Sequence, residues 1–433
     1  MSKEQDNHLD IFVDHYMLYT GGNVERYDQG QQSEACRKRY EIIDSALDNG
    51  FLEDLISGVR NFEYNELSEE HKKIISELIE KKTSEVGRGL IGLAFLQLVI
   101  KTIEPNQSVR LHKGSSRKGS FSWVEGISMR TLDSNYIEPF LRKYELLKVN
   151  KDGVFMTRSL AENYPYTRLY KAELRGPFRE WIEIVEALES NRMPARGALE
   201  YMIMRLMQST QKSKELARKL LAVADQWVSD CFDDYYEVLK LFFTETTYNA
   251  RAFEVVIHAF VQAMIEIGIL KDVNLVPLSQ MRSANKKHGN IGDIELCHKS
   301  IVFESWDAKF GKPYLRDELE ELRDKLIEHE GIQIAGFIVN DSIIRNREII
   351  TRVNEIEIEL DVKLYIMTFE EWIKERITEL CDEVRLKLGR QWLVATAETF
   401  ALQRMQIAPI DEPCDEWVRD LTHSLETYLN RKL

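Results

Sequence analysis

Apolar and polar positions change period several times along this chain, and the changes mark its elements. Over residues 301–309, Ile301, Phe303, Ser305, Asp307 and Lys309 fall on one side of an extended strand, since successive strand side chains point to opposite faces. Residues 289–309 as a whole read as two strands joined by a short turn. That hairpin projects Asp293, Asp307 and Lys309 together. Its second strand begins apolar and ends in a carboxylate and an amine, a buried base with a reactive rim, which suggests metal-dependent phosphodiester hydrolysis. Upstream, Phe253, Val256, Ile257, Phe260, Val261 and Met264 recur at helical spacing, so residues 250–268 form an amphipathic helix with Glu254 at the edge of its apolar face. Downstream, Pro313 opens a helix with Leu315, Leu319, Leu322 and Leu326 on one side, and Gly331 closes it. The apolar run 332–339 is that of a strand covered on both faces. A helical pattern at 343–358, a strand at 362–367 and a helix begun by the capping pair Thr368 and Glu371 follow. The predicted order is helix, hairpin and third strand, helix, strand, helix, strand, helix.

The first half reads differently. Residues 1–82 are mostly helical by pattern, and Tyr16, Tyr19, Tyr27 and Tyr40 are expected to pack between helices in preference to the alternative of contacting DNA. Residues 86–103 form a strongly apolar helix. A basic loop rich in glycine and serine follows at 110–123, where Arg110, Lys113, Arg117 and Lys118 supply cations suited to phosphate oxygens. Asp133 or Ser134 caps a helix with Ile137, Phe140, Leu141, Tyr144 and Leu147 on one face. A hairpin over 147–157 turns at Asp152-Gly153. This helix and basic hairpin resemble, in architecture, a winged-helix DNA-binding module. Residues 181–243 read as helices in which Met202, Met204 and Met207 fill the core. The helices of 370–433 carry Trp372, Trp392 and Trp417 and either close the second core or form a dimer face.

Composition narrows the class. With 433 residues, 44% hydrophobic and 30% charged, the chain holds two or three globular domains. The longest apolar run, 90–100, is interrupted by Gln97 and falls short of the ~20 residues of a membrane span. No charged leader with an apolar segment opens the sequence, and its five cysteines are scattered without a CxxC pair, so a reduced, cytoplasmic protein is expected. The net charge of −14 argues against loose nucleic-acid binding, yet 15 Lys and Arg face 9 Asp and Glu between Lys101 and Glu180. An acidic protein with one basic segment can bind DNA there. There is no GxxxxGK[ST] loop, no Gly-rich fingerprint for a methyl donor, and no HxH, CxxC or HExxH zinc pattern.

The helix bearing Glu254, the lone Asp293, the Asp307-Ala308-Lys309 triplet and the helix and strand after it resemble the PD-(D/E)xK nuclease superfamily. Within it, they most resemble type II restriction endonucleases, over about residues 248–371. A D-x-K triplet alone is common. What gives the match specificity is its place at the end of an apolar strand, with an aspartate 14 residues earlier and helices on both sides. One departure is Gly292 before Asp293, where the family often has proline.

The resemblance implies an α/β catalytic core, a mixed central sheet flanked by helices, over 245–433. Ahead of it are expected a helical region (1–85), a basic DNA-recognition region containing the winged-helix-like module (86–180) and a helical connector (181–244). The implied function is a Mg²⁺-dependent, site-specific double-stranded DNA endonuclease. Two carboxylates suit Mg²⁺, a hard cation that keeps several waters and binds substrate phosphate directly. Asp293 and Asp307 are the expected ligands, with the Ala308 carbonyl. Lys309 orients the attacking water and stabilises the pentavalent oxygens, and Glu254 holds a further water or a second metal. Glu295 shares a face with Asp293 and can replace or assist it, whereas Glu304, on the other face from Asp307, is expected to touch a covering helix. The bland alternative is that Asp307 and Lys309 form a surface ion pair at a strand end. DNA contacts are expected from Arg110, Lys113, Arg117, Lys118, Arg130, Arg142 and Arg158, and from Arg282, Lys286, Lys287 and His288 at the lip of the site. A homodimer and a separate cognate DNA methyltransferase are the implied partners. Two other functions share these residues: a structure- or modification-directed repair nuclease, and a DNA-binding protein that keeps an inactive nuclease fold.

Overall fold

A computed structural model describes residues 7–20, 23–58, 67–81, 85–113, 122–147, 164–171, 174, 176–278, 290–404 and 414–432. The chain divides into two compact units, Met1–Lys212 and Ser213–Leu433.

The first unit opens with an antiparallel sheet of β1 (His8–Ile11), β2 (His15–Thr20) and β3 (Asn23–Asp28), in that order. Helix was expected here, and the correction has a local cause. Tyr16 and Leu18 are buried while their neighbours are less so, a period of two, and they pack with Tyr27, Leu111 and Trp123. Helices α1 (Glu34–Asp48), α2 (Phe51–Gly58), α3 (Glu69–Glu80) and α4 (Glu85–Ile103) follow. From residue 90 to 101 α4 is buried all round, which is why it carries no polar stripe. The polar interruption at Gln97 is satisfied. The Gln97 amide donates to the Val109 carbonyl (2.8 Å), and its oxygen accepts from Trp181 Nε1 (2.8 Å).

Next come α5 (Met129–Leu132), a π-helical turn (Asp133–Ile137) and α6 (Glu138–Lys143), an unbroken run that starts earlier than the expected cap at Asp133 or Ser134. The π-turn has a reason in the sequence: Pro139 donates no N–H and its ring crowds the Asn135 carbonyl four residues back, and the preceding Glu138 N–H bonds the Asp133 carbonyl, five residues back. The hairpin expected over 147–157, and with it the winged-helix-like module, lies outside the described residues beyond Leu147. Helix α7 (Phe178–Glu189) and the long α8 (Ala195–Gln226) complete the set, and Met202, Met204 and Met207 join this core.

The second unit holds α9 (Phe232–Glu245), α10 (Asn249–Glu266), β4 (Asn274–Leu275), β5 (Ile294–His298), β6 (Ile301–Lys309), α11 (Arg316–Ile327), β7 (Ile334–Val339), α12 (Arg347–Leu360), β8 (Lys363–Thr368), α13 (Phe369–Ile377), α14 (Asp382–Glu398) and α15 (Cys414–Lys432). The strands make one mixed sheet in the order β4-β5-β6-β7-β8, antiparallel up to β6 and parallel from β6 to β8. Helices cover both faces. Ala335, Phe337 and Val339 pack with Leu319, Leu322 and Ile349 from α11 and α12. On the other face, Ile294, Leu296, Trp306 and Ile338 meet α10, α13 and α14. Two covers explain the unbroken apolar run of β7. The part of α8 from Ala217 and all of α9, expected as a connector, belong to this second core. Trp372, Trp392 and Trp417 are fully buried in it and close it. Thr368 and Glu371 form the expected reciprocal capping box on α13. No helix among the described residues is long and apolar enough to cross a membrane.

Candidate active site

The hairpin turns at Lys299 and Ser300, both at positive φ, the signs of a type I′ turn. Its second strand runs inward: just past its far end Phe310 meets Phe253 of α10, ring centres 5.9 Å apart, and Trp306 pairs with Ile294 at the start of β5. Asp293 lies just before β5. Its N–H donates to the Trp306 carbonyl (2.9 Å), and its Oδ2 accepts from the Ala308 N–H (3.0 Å). Gly292 makes this approach feasible. A Cβ there would lie 2.6 Å from Ser305 Oγ and 2.7 Å from the Trp306 carbonyl oxygen, which also excludes the family's proline from this backbone.

Asp307 and Lys309 share a face of β6, with Lys309 Nζ 3.0 Å from Asp307 Oδ2. The ion pair of the bland alternative therefore exists, but it is not on the surface: Asp307 is 6% exposed, and its Oδ1 is buried with no hydrogen-bond donor. Along β6 the carbonyls alternate in direction. That of Lys309 accepts from Asn340 on the β7 side and that of Trp306 from Asp293, so the Ala308 carbonyl faces the Asp293 side. Glu254 reaches the cluster from α10, buried and ion-paired with Arg251 one turn earlier.

Charge is crowded here. Burial, then the charges of Glu254 and Asp307, push the Asp293 carboxyl well above the usual carboxylate range. Burial opposes the charge on Lys309, but Asp307, Asp293 and Glu318 outweigh it and hold the ammonium above its ordinary value. Arg251 and Lys309 offset two of the three carboxylates. Among the described residues, no three His, Cys, Asp or Glu side chains form a metal-holding group by themselves.

Glu304 behaves as its strand parity requires. It turns to the other face and bonds Arg376 of α13 and Trp306 Nε1 (2.6 Å). Glu295 is occupied elsewhere than the cluster, its Oε1 accepting from the N–H groups of Ile291 (2.6 Å) and Gly292 (3.3 Å). Sequence reasoning missed Arg251, whose signal was an arginine three positions before Glu254 on an otherwise apolar helix.

The expected DNA contacts fare unevenly. Arg110 requires correction: it is 6% exposed, donates to the Tyr166 carbonyl (2.9 Å) and lies 3.7 Å from Glu25, so its guanidinium braces the first unit instead of facing phosphate. Arg142 is paired with Glu138 one helical turn back. Lys113 is half-buried and Arg130 exposed. Arg117, Lys118, Arg158, Arg282, Lys286, Lys287 and His288 lie outside the described residues. No model of a known protein family matches the chain, and no curated protein matches it.

Proposed function

We propose that the chain is a Mg²⁺-dependent, site-specific double-stranded DNA endonuclease of the type II restriction kind, with a restriction-endonuclease-like core in its second unit. The observation that carries this is the buried, donorless Oδ1 of Asp307 beside Asp293, in a cluster of three carboxylates offset by two cations. A divalent cation would take the place of the proton that the crowded Asp293 carboxyl otherwise retains, and hard oxygen donors suit Mg²⁺, which is held by one or two carboxylates plus waters and substrate phosphate. Asp293, Asp307 and the Ala308 carbonyl are the residues that would hold it. Bound there, it neutralises charge developing on the phosphodiester and makes water more acidic.

The remaining work belongs to the chain. Lys309, kept charged by its neighbours, directs an N–H toward the attacking water and the non-bridging oxygens. Glu254, braced by Arg251, borders the cluster from α10 and would hold a metal-bound water or a second metal. In this reading the basic stretch of residues 101–180 grips duplex DNA, two copies act on the two strands, and a separate methyltransferase protects host DNA in the cytoplasm.

The test is digestion of a fully sequenced phage DNA with purified protein, in Mg²⁺ and in EDTA, with sequencing of the fragment ends. The expected result is a discrete Mg²⁺-dependent fragment set whose ends share one sequence context. Intact DNA in Mg²⁺, or ends without common context, overturns the proposal.

A further inference from the structure

We infer that Glu295 is a positioning residue for Asp293, clasping the backbone that presents it, and is not itself a metal ligand. The inference rests on the nuclease reading for its effect on catalysis, but its geometry stands apart from it.

A carboxylate two residues after Asp293, on the same strand face, reads from sequence as a substitute ligand. The contacts point elsewhere. Glu295 is 5% exposed, and one of its oxygens takes two successive amides, Ile291 N–H at 2.6 Å and Gly292 N–H at 3.3 Å. These are the two residues that lead into Asp293. Hydrogen bonds to an ionised acceptor are among the stronger ones in a protein.

The clasp has a task. Residues 291–293 must lie against β6 so closely that a Cβ on Gly292 would stand 2.6 Å from Ser305 Oγ. Asp293 must also remain in place although the charges of Glu254 and Asp307 repel it. From the β6 side it is held by the Trp306 carbonyl and the Ala308 N–H. Glu295 holds the same segment from the other end.

Glu295 is itself anchored to the helix that carries Glu254. Its carbonyl accepts from the Val276 N–H (2.9 Å), and the Val276 carbonyl receives a hydrogen bond from His258 Nε2 (3.0 Å), which must donate because a carbonyl only accepts. His258 stands one turn beyond Glu254 on α10. A line of bonds thus runs from α10 through Val276 and Glu295 to the backbone before Asp293, registering helix and hairpin acids against one another.

The experiment compares Glu295→Gln and Glu295→Ala in the full-length protein. Glutamine keeps a carbonyl oxygen for both amides but lacks the charge of a carboxylate ligand or base; alanine keeps neither. Three quantities are read: amide exchange at Ile291 and Gly292, Ca²⁺ affinity by calorimetry, and kcat for Mg²⁺-dependent cleavage. Expected for Glu295→Gln are protected amides, with Ca²⁺ affinity and kcat within about threefold of wild type. Expected for Glu295→Ala are unprotected amides and a ~10–100-fold loss in Ca²⁺ affinity and kcat, the usual cost of removing a group that orients a ligand. Duplex affinity without metal should not change. If Glu295→Gln loses as much as Glu295→Ala, or if Glu295→Ala keeps its amides protected, the inference fails. If the exchange pattern holds while wild type neither binds Ca²⁺ nor cleaves, the clasp stands and the nuclease reading falls.

Discussion

Lys309 Nζ lies 3.0 Å from Asp307 Oδ2, two residues along the same face of β6. Strand periodicity puts the two side chains together, and burial gives their contact weight, because water does not screen it as it would at a surface. The pair fixes where the ammonium can act. Lys309→Ala should therefore lower turnover by about 10²–10⁴, the range for a positioned proton-transfer or orienting group, with little change in duplex affinity. Single-turnover cleavage and binding in Ca²⁺ separate the two quantities. A variant that keeps turnover and loses affinity would make Lys309 a phosphate anchor.

Asp293 gives a pH dependence with a definite sign. Its carboxyl in the folded protein titrates well above the usual 3.8, through burial and then through the charges of Glu254 and Asp307. Between those two values the folded protein keeps a proton that the unfolded chain has lost, so stability of the metal-free protein falls as pH rises through that window. A cation that binds the ionised form reverses the trend, and Ca²⁺ affinity should rise with pH. Asp293→Asn should abolish cleavage, flatten the pH dependence and raise the metal-free Tm at pH 8. Thermal unfolding in EDTA and in Ca²⁺ from pH 5 to 8 checks each point.

Gly292 has no room for a side chain. Gly292→Ala forces its new carbon against Ser305 and the Trp306 carbonyl, an overpacking expected to cost about 1–3 kcal/mol. Cleavage should fall with it because Asp293 moves. Urea denaturation and kcat measured on one preparation test whether both decline.

On the opposite face, Arg376 neutralises buried Glu304 while its guanidinium lies 5.0 Å from the Trp372 ring centre. Arg376→Ala strands that carboxylate with Trp306 Nε1 as its remaining hydrogen-bond donor. The expected loss is about 3 kcal/mol, the lower end for breaking a buried pair. Unchanged denaturant stability would mean that Glu304 reaches water or another donor.

Arg110 and Lys118 should part company. Arg110→Ala removes a buried brace between Glu25 and the Tyr166 carbonyl, so it should lower Tm and leave the salt dependence of duplex binding unchanged. Lys118→Ala should leave Tm unchanged, weaken all duplexes alike and reduce the salt slope by about one ion. Filter binding across a salt series, beside thermal unfolding, distinguishes them.

The second unit was legible wherever the constraint was local. Alternation placed Asp307 and Lys309 on one face and Glu304 on the other. The apolar run around Phe337 announced a strand covered twice, and Thr368 with Glu371 announced a helix start. Each follows from backbone periodicity or from orphan N–H groups within a few residues, so the sequence alone determined them. At the N-terminus the same local logic was available in the alternation of Tyr16 and Leu18, but residues 8–28 read as helix because the buried face of that sheet is completed by Leu111 and Trp123, far along the chain.

Tertiary structure decided which charges meet. Glu254 and Asp293 are 39 residues apart in sequence and repel one another only because α10 packs beside the hairpin. Glu295 had the parity of a ligand, and its carboxylate turned instead to two backbone amides. Arg110 had the composition of a phosphate contact and became a buried brace once β3 and residues 164–171 closed over it. The reason is common to all three. A side chain's parity, spacing and charge are written in its neighbours along the chain, whereas its burial and its partner are set by elements remote in sequence, and those fix what an ionisable group does.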